Sequence, residues 1–119
     1  MSLGELLDKI TILEIKTQRL QGIALGNVAK ELSALQTTFD SLNIQVDPFL
    51  IQQLSEVNAH LWQIEDDIRA KEDRKEFDNG FTSLARLVYQ QNDRRAAIKR
   101  KINTIYNSAL VEEKSYQKD

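Results

Sequence analysis

A run of polar residues interrupts the apolar stripe of the last predicted helix, and its side chains could do chemistry. The run extends from Gln91 to Arg95 and brings carboxamides, a carboxylate and guanidinium groups together. If the preceding helix folds back antiparallel through a turn near residue 78, Glu65 and Asp66 face this run. We call the candidate ligand-binding residues the polar patch: Glu65, Asp66, Arg69, Asn92, Asp93, Arg95 and Lys99.

Two interpretations of the polar patch follow from its chemistry. Buried polar groups need partners, and a polar break in an apolar seam can fix the alignment of two helices, so the leading interpretation is a structural ion-pair network. In that case Glu65, Asn92, Asp93 and Arg95 satisfy one another and are closed to solvent. The alternative is a binding site for a phosphorylated or nucleotide-like molecule, since polar groups that converge between bundle helices often form such sites.

Charged residues near the patch invite other hypotheses, which we consider weaker. The acids Glu65, Asp66, Asp67 and Glu72 could bind a hard divalent cation, but such spacing is usually a solvated helix face, so no metal site is predicted. A basic cluster could hold phosphate, but it spans more than one helix face, so a solvated or ion-paired surface is expected: Arg94, Arg95, Lys99, Arg100 and Lys101. On the first helix, Asp8 and Glu14 could reach these basic residues or simply face water.

Composition narrows the possible functions. The chain has no cysteine and one histidine, His60, so thiolate and multi-histidine metal sites are excluded and no cofactor is predicted. The net charge of −2 gives no reason to expect nucleic-acid binding. No apolar run reaches the length of a membrane span, and no signal peptide is evident, so we expect a cytoplasmic protein without membrane contact.

Two shorter helices are predicted in the first third of the chain. Ser2 and Glu5 have the spacing of a capping box, and apolar residues follow at alternating three- and four-residue steps, so a helix is expected from about Leu3 to Gln21. Gly22 and Gly26 should end this pattern. A second helix is expected from Asn27 as N-cap to Leu42.

Two longer helices account for the rest. Asp47 and Pro48 suit the N-cap and first position of a third helix that ends near Lys75, and a fourth follows from Gly80 to Asn107. No two-residue alternation indicates a strand. We therefore predict an all-α helical bundle of two antiparallel helical hairpins, the second (helices 3 and 4) longer. It forms a single domain, residues 1–107, with a partly ordered C-terminal tail, residues 108–119.

The length mismatch between the hairpins predicts a homodimer. The longer hairpin should overhang the shorter one and leave apolar residues at its open end without cover: Phe49, Leu50, Ile51, Leu54, Ile102, Ile105 and Tyr106. An apolar stripe of this kind usually marks an interface, and a two-fold pairing of the long hairpins would cover it. Alternatively, the first helix, the loop from Asn43 to Asp47 or the tail folds back over it.

Several stretches together resemble a family of uncharacterised bacterial and phage proteins, a domain of unknown function. They are Gly4–Lys9 with Thr11–Lys16, then Leu61 and Trp62 with Ile64–Asp66, Ile68 and Arg69, then Val88 and Tyr89 with Asn92–Ala96, and the tail segment Ser108–Tyr116. The resemblance covers nearly the whole chain and implies no activity. It suggests that the tail and the polar patch belong to one working surface.

A weaker resemblance is to the all-α nucleoside-triphosphate pyrophosphatases, whose acids follow an E-E-x-x-E and then an E-x-x-D pattern. Arg69 and Gln90 replace two of these acids here, which would remove magnesium ligands. The leading functional hypothesis is therefore a non-enzymatic interaction or accessory module, with a possible protein partner. The alternative is a ligand-binding protein or an enzyme acting at the polar patch.

Overall fold

Four helices account for the architecture of the computed structural model, which describes the backbone of residues 1–118 and the side chains of residues 1–106. The helices are α1 (Leu3–Arg19), α2 (Gly22–Ser41), α3 (Pro48–Asp73) and α4 (Asn79–Lys118). They form two antiparallel hairpins, and no strand occurs in the described residues. The predicted all-α class and the longer second hairpin are thus confirmed. None of the described helices is both long and apolar enough to cross a membrane.

The predicted helix starts are confirmed for α1 and α3. The Ser2 side chain accepts a hydrogen bond from the Glu5 backbone N–H at 3.2 Å, and Asp47 accepts one from Phe49 at 3.0 Å. These bonds satisfy donors that have no partner inside the helix. Glu5 does not return the capping-box bond, since its carboxylate pairs with Lys99 of α4 instead.

Two predicted helix boundaries differ from the structure by more than two residues. α2 begins at Gly22, whose φ of +67° makes the sharp turn out of α1, so Gly26 and Asn27 lie inside the helix. The apolar spacing of α2 continues back to Leu25, and packing of that seam against α1 outweighs the low helix propensity of Gly26. α4 continues past Asn107 to Lys118. The side chains of the predicted tail lie outside the described residues, and its separation from the domain stays a prediction.

α1 is the central helix of the molecule, because it packs against all three others, whereas among the described residues the backbone of α2 comes close only to that of α1. One face of α1, with Leu3, Leu6 and Ile10, meets α2. The opposite face contains Gly4, Asp8 and Thr11, all buried, and meets α3 and α4. The hydrophobic core therefore lies between α1, α3 and α4, and α2 forms an outer layer.

The expected exposure at the open end of the long hairpin is largely wrong. Leu50, Leu54 and Ile102 are buried, because the N-terminal half of α1 and the loop residue Val46 lie over them. The loop is held there by a 2.8 Å hydrogen bond from the Asp47 backbone N–H to the Tyr106 hydroxyl. Ile51 and Tyr106 are half-buried, and only Phe49 and Ile105 of the seven stay largely exposed: 60% and 50%.

Gly4 marks the closest approach of α1 to α4. A Cβ at this position would lie 2.7 Å from the Lys99 carbonyl oxygen and 2.9 Å from the Asn103 Oδ1. That Oδ1 accepts a 2.7 Å hydrogen bond from the Gly4 backbone N–H, which is one of the donors that the helix itself leaves unpaired. A larger residue would push the two helices apart and lose this bond.

We expect Gly4→Ala to lower the free energy of unfolding by about 1–3 kcal/mol, because the new methyl group meets backbone that cannot move aside. Gly26→Ala is the matched control, since a Cβ there has nothing within 4 Å. It should stabilise the protein by about 0.5–1 kcal/mol through helix propensity. Urea denaturation monitored by circular dichroism measures both. Equal effects of the two substitutions would contradict the close approach.

Candidate functional site

A buried ion pair between α1 and α4 is the centre of the candidate site. The Asp8 side chain accepts hydrogen bonds from the guanidinium of Arg95 on both carboxylate oxygens, from Nε to Oδ1 at 2.9 Å and from Nη2 to Oδ2. Asp8 is only 1% exposed, whereas the Arg95 side chain keeps 28% of its surface accessible. The two-point geometry fixes the angle as well as the distance between the helices.

α3 joins this pair through Asn58, which is also buried. Its Nδ2 lies 2.9 Å from the Asp8 Oδ1 and 2.9 Å from the Thr11 hydroxyl oxygen, so one amide group bonds two residues of α1. The Thr11 hydroxyl in turn donates to the Asp8 backbone carbonyl at 2.8 Å. Asp8, Thr11, Asn58 and Arg95 thus form one hydrogen-bonded unit across three helices, which we call the Asp8 cluster.

Lys99 extends the Asp8 cluster toward the N-terminus of α1. Its ammonium group pairs with the Glu5 carboxylate and lies 3.8 Å from the Asp8 Oδ2. Lys99 follows Arg95 by one helical turn, so both cations lie on the face of α4 that meets α1. A second positive charge therefore faces the buried carboxylate.

The protonation state of Asp8 follows from these contacts. Burial raises the pKa of the Asp8 carboxyl, but the hydrogen bonds from Arg95 and Asn58 and the charges of Arg95 and Lys99 outweigh burial, so this pKa lies below its ordinary value. The hydrogen bond to Asp8 also raises the pKa of Arg95. Both groups are ionised at neutral pH, and Asp8 is not a proton donor there.

The other residues of the polar patch lie outside the Asp8 cluster. Glu65, Asn92 and Asp93 are exposed, so the expectation that they join Arg95 in a closed network is wrong. Glu65 lies near enough to help raise the Arg95 pKa but makes no bond to it. The antiparallel α3–α4 hairpin does bring Glu65 near Arg95, but α1 supplies the carboxylate that Arg95 binds, that of Asp8.

Asp66 and Arg69 form a separate ion pair at the surface, with 2.8 Å between Nη2 of Arg69 and Oδ1 of Asp66. The C-terminal end of α1 lies beside this pair. Arg19 lies 3.6 Å from the Asp66 carboxylate, and its guanidinium carbon is 5.5 Å from the centre of the Trp62 ring. Exposed ion pairs of this kind contribute little to stability. The structure therefore separates Asp66 and Arg69 from Arg95 and Lys99, which the sequence had grouped together.

Asn58 and Asn103 are the residues that sequence reasoning missed. Asn58 follows Leu54 by four residues and precedes Leu61 by three, so it lies on the apolar face of α3. A carboxamide on such a face needs a buried hydrogen-bond partner, so the sequence position of Asn58 already indicates a buried polar contact. Asn103 likewise follows Lys99 by one turn. Asp8 was considered a possible partner of the last helix, and that alternative is the one observed.

The arrangement can hold helices together but offers little for catalysis. The polar atoms of Asp8 and Thr11 are directed at one another and at Asn58 and Arg95, with no nucleophile beside a base. In the described part of the chain, no group of three or more acids, histidines or cysteines could hold a metal ion. One buried oxygen, the Gln91 Oε1, has no hydrogen-bond partner there.

The chain belongs to a family described as "Family of unknown function (DUF6165)", whose model it matches over residues 1–119. No curated protein and no solved structure shows significant similarity to it. The family match therefore agrees with a domain of unknown function and brings no assigned activity, ligand or site residue to this chain.

We expect Arg95→Met to lower the free energy of unfolding by about 3–5 kcal/mol, near the lower end because Lys99 stays close to Asp8. The cost arises because the buried Asp8 carboxylate loses its two-point partner. Arg94→Met is the matched control, since Arg94 is exposed, and it should change stability by less than about 0.5 kcal/mol. Chemical denaturation at pH 7 measures both. A loss below about 0.5 kcal/mol for Arg95→Met would show that the pair is not structural.

The lowered pKa of Asp8 predicts an acid-sensitive contribution to stability. Because the carboxyl binds protons more weakly in the folded chain, its contribution is complete above the ordinary value of 3.8 and is lost as the pH falls through the folded pKa. Asp8→Asn removes this titration. We therefore expect wild type to be more stable than Asp8→Asn at pH 6 and the difference to shrink below about pH 3.8. Urea denaturation across this range measures it, and a difference that stays constant contradicts the linkage.

Proposed function

We propose that this protein is a non-enzymatic interaction or accessory module that acts as a homodimer. The observation that carries the proposal is the Asp8 cluster, whose polar groups are occupied by one another. A site that binds or transforms a small molecule needs polar groups that point into an accessible pocket. Here Asp8, Thr11 and Asn58 are at most 5% exposed, and their hydrogen-bonding capacity is used to join α1 with α3 and α4.

The one-sided packing of α2 supports an interaction role. None of its residues is buried, although it carries a regular apolar seam. The radius of gyration of the chain is 17.2 Å, against about 13–14 Å expected for a compact domain of this length. The length of α4, 40 residues, accounts for the longest dimension of the molecule, 59 Å. A helix with a half-exposed apolar seam is suited to meet another protein surface.

The cellular setting is part of the same proposal. We place the protein in the cytoplasm because a chain without cysteine suits a reducing compartment. We also propose that the family occurs in bacteria and phages, which is what the resemblance of its motifs implies. We also propose that the homodimer binds a further protein partner.

The alternative is a ligand-binding protein or enzyme for a phosphorylated or nucleotide-like molecule at the polar patch. One observation favours it: the side chains of Arg95 and Lys99 keep 28% and 20% of their surface exposed. An anion could approach these two cations from solvent, beside the exposed Asn92. It would compete there with Asp8 and Glu5, which already neutralise them.

Sedimentation equilibrium at micromolar concentration tests the proposed module, and we expect a species of twice the 13.7 kDa chain mass. A thermal-shift screen with nucleotides, sugar nucleotides and millimolar magnesium tests the alternative, and we expect no rise in the melting temperature. A monomer mass contradicts the homodimer. A rise that Glu65→Gln or Arg95→Met abolishes supports the alternative, because ligands that bind the native state stabilise it.

A further inference from the structure

The apolar seam of α2 has the spacing of a coiled coil and is only half covered. Its residues alternate at steps of three and four, and each is half-buried: Leu25, Val28, Leu32, Leu35, Phe39 and Leu42. The facing seam of α1 has the same spacing from Leu3 to Leu20. The facing α1 residues Leu3, Leu6 and Ile10 are already buried in the core of the chain, so only the α2 side of the seam stays partly accessible. A second pair of helices packed on that side completes a four-helix bundle.

Grooves flank α2 on both sides, and they differ in chemistry. The groove toward α3 has a volume of about 410 Å³ and includes polar side chains at its rim, among them Glu14, Gln36 and Asp40. The groove on the opposite flank has a volume of about 210 Å³ and is almost wholly apolar: Met1, Ser2, Leu3, Leu6, Leu35, Thr38 and Leu42. The second groove, which we call the Met1 groove, is the one suited to take an apolar helix edge.

The dimensions of the α1–α2 hairpin can be compared with the area that a stable dimer interface needs. α2 has 20 residues, and at 1.5 Å per residue its length is about 30 Å. Two packed helices measure about 20 Å across, so the outline of the hairpin covers at most roughly 600 Å² for each chain. Two such outlines bury at most about 1,200 Å² together, the lower end of the range for specific interfaces.

We propose that the α1–α2 hairpin pairs with the same hairpin of a second copy across the Met1 groove. This assignment rests on the proposed homodimer and names its surface. A two-fold contact brings the same surface patch of each chain together. The interface therefore lies on the short hairpin, not on the open end of the long hairpin, where α1 and Val46 already cover most of the apolar residues.

The charge of α2 favours a copy of the same chain over a basic or acidic partner. Along its 20 residues, α2 carries only Lys30, Glu31 and Asp40 as charged side chains. Neither sign dominates, so this surface does not attract a strongly charged partner, and two copies do not repel each other. The other polar side chains on α2 are serines, threonines, Asn27 and Gln36, which are small enough or flexible enough to border an apolar contact.

Arginine substitutions on the two flanks of α2 test the assignment. Thr38 lines the Met1 groove, and its hydroxyl donates a hydrogen bond to the Ala34 carbonyl within its own helix, so Thr38→Arg removes no hydrogen bond between helices. Gln36→Arg places the same group on the opposite flank and is the matched control. Phe49→Arg probes the open end of the long hairpin. Circular dichroism and melting temperature verify that each variant is folded.

We expect Thr38→Arg to raise the dimer dissociation constant in sedimentation equilibrium by roughly a hundredfold, because a guanidinium would enter an apolar contact in both chains. Gln36→Arg and Phe49→Arg should change it by less than about threefold. A dimer that survives Thr38→Arg overturns the assignment while leaving the homodimer intact. If only Phe49→Arg dissociates the dimer, the assignment is also overturned, and the interface lies on the long hairpin. A monomeric wild type overturns the homodimer itself.

A labelling experiment keeps the proposal testable if Thr38→Arg does not fold. The chain has no cysteine, so Thr38→Cys and Gln36→Cys each allow attachment of one environment-sensitive fluorophore. We expect the label at position 38 to shift its emission to shorter wavelength as the protein concentration rises through the dimerisation range. The label at position 36 should not shift. A position-38 label that is unaffected by concentration, in a protein that sediments as a dimer, contradicts the Met1 groove as the interface.

Discussion

The buried carboxylate of Asp8 is the constraint on which the rest of the structure depends. A charge taken out of water at the centre of α1 is tolerated only with strong partners. Arg95 of α4 and Asn58 of α3 supply them at 2.9 Å, and one side chain thereby joins three helices. A continuous apolar seam specifies the register of two helices less strictly than a buried polar interruption does. The Asp8 cluster permits one alignment.

This constraint also explains the position of α2. Because one face of α1 holds Gly4, Asp8 and Thr11 against α3 and α4, only the opposite face remains for α2. α2 therefore cannot reach the long hairpin along its length and stays half exposed. The close approach at Gly4 reinforces this, since it brings α4 against α1 where a larger residue would leave a gap. A single helix thus carries two seams, one polar at its centre and one apolar.

The sequence predicted the fold better than the site, for physical reasons visible in particular residues. Asp47 with Pro48 and the apolar spacing of α3 are local signals, and local signals specified the helices and their pairing. The start of α2 was missed because Gly22 and Gly26 resemble stops, whereas packing against α1 overrides their propensity. The partner of Arg95 depends on which helix fills the space beside α4. Which helix fills that space depends on tertiary packing. The antiparallel register between α3 and α4 alone predicted Glu65 as the partner of Arg95 instead of Asp8.

The fixed position of α1 against α3 and α4 determines what the polar and the apolar side chains of this small chain do. The polar contacts that could have formed a binding site are used for alignment, so Arg95 and Lys99 face carboxylates of their own chain instead of an open pocket. The apolar seam of α2 stays partly exposed, because only one face of α1 is left to cover it. Paired polar groups inside the bundle and a partly exposed apolar seam on α2 are the two features on which the proposed interaction role rests. The same Asp8 that holds the bundle together therefore determines which of its faces is free.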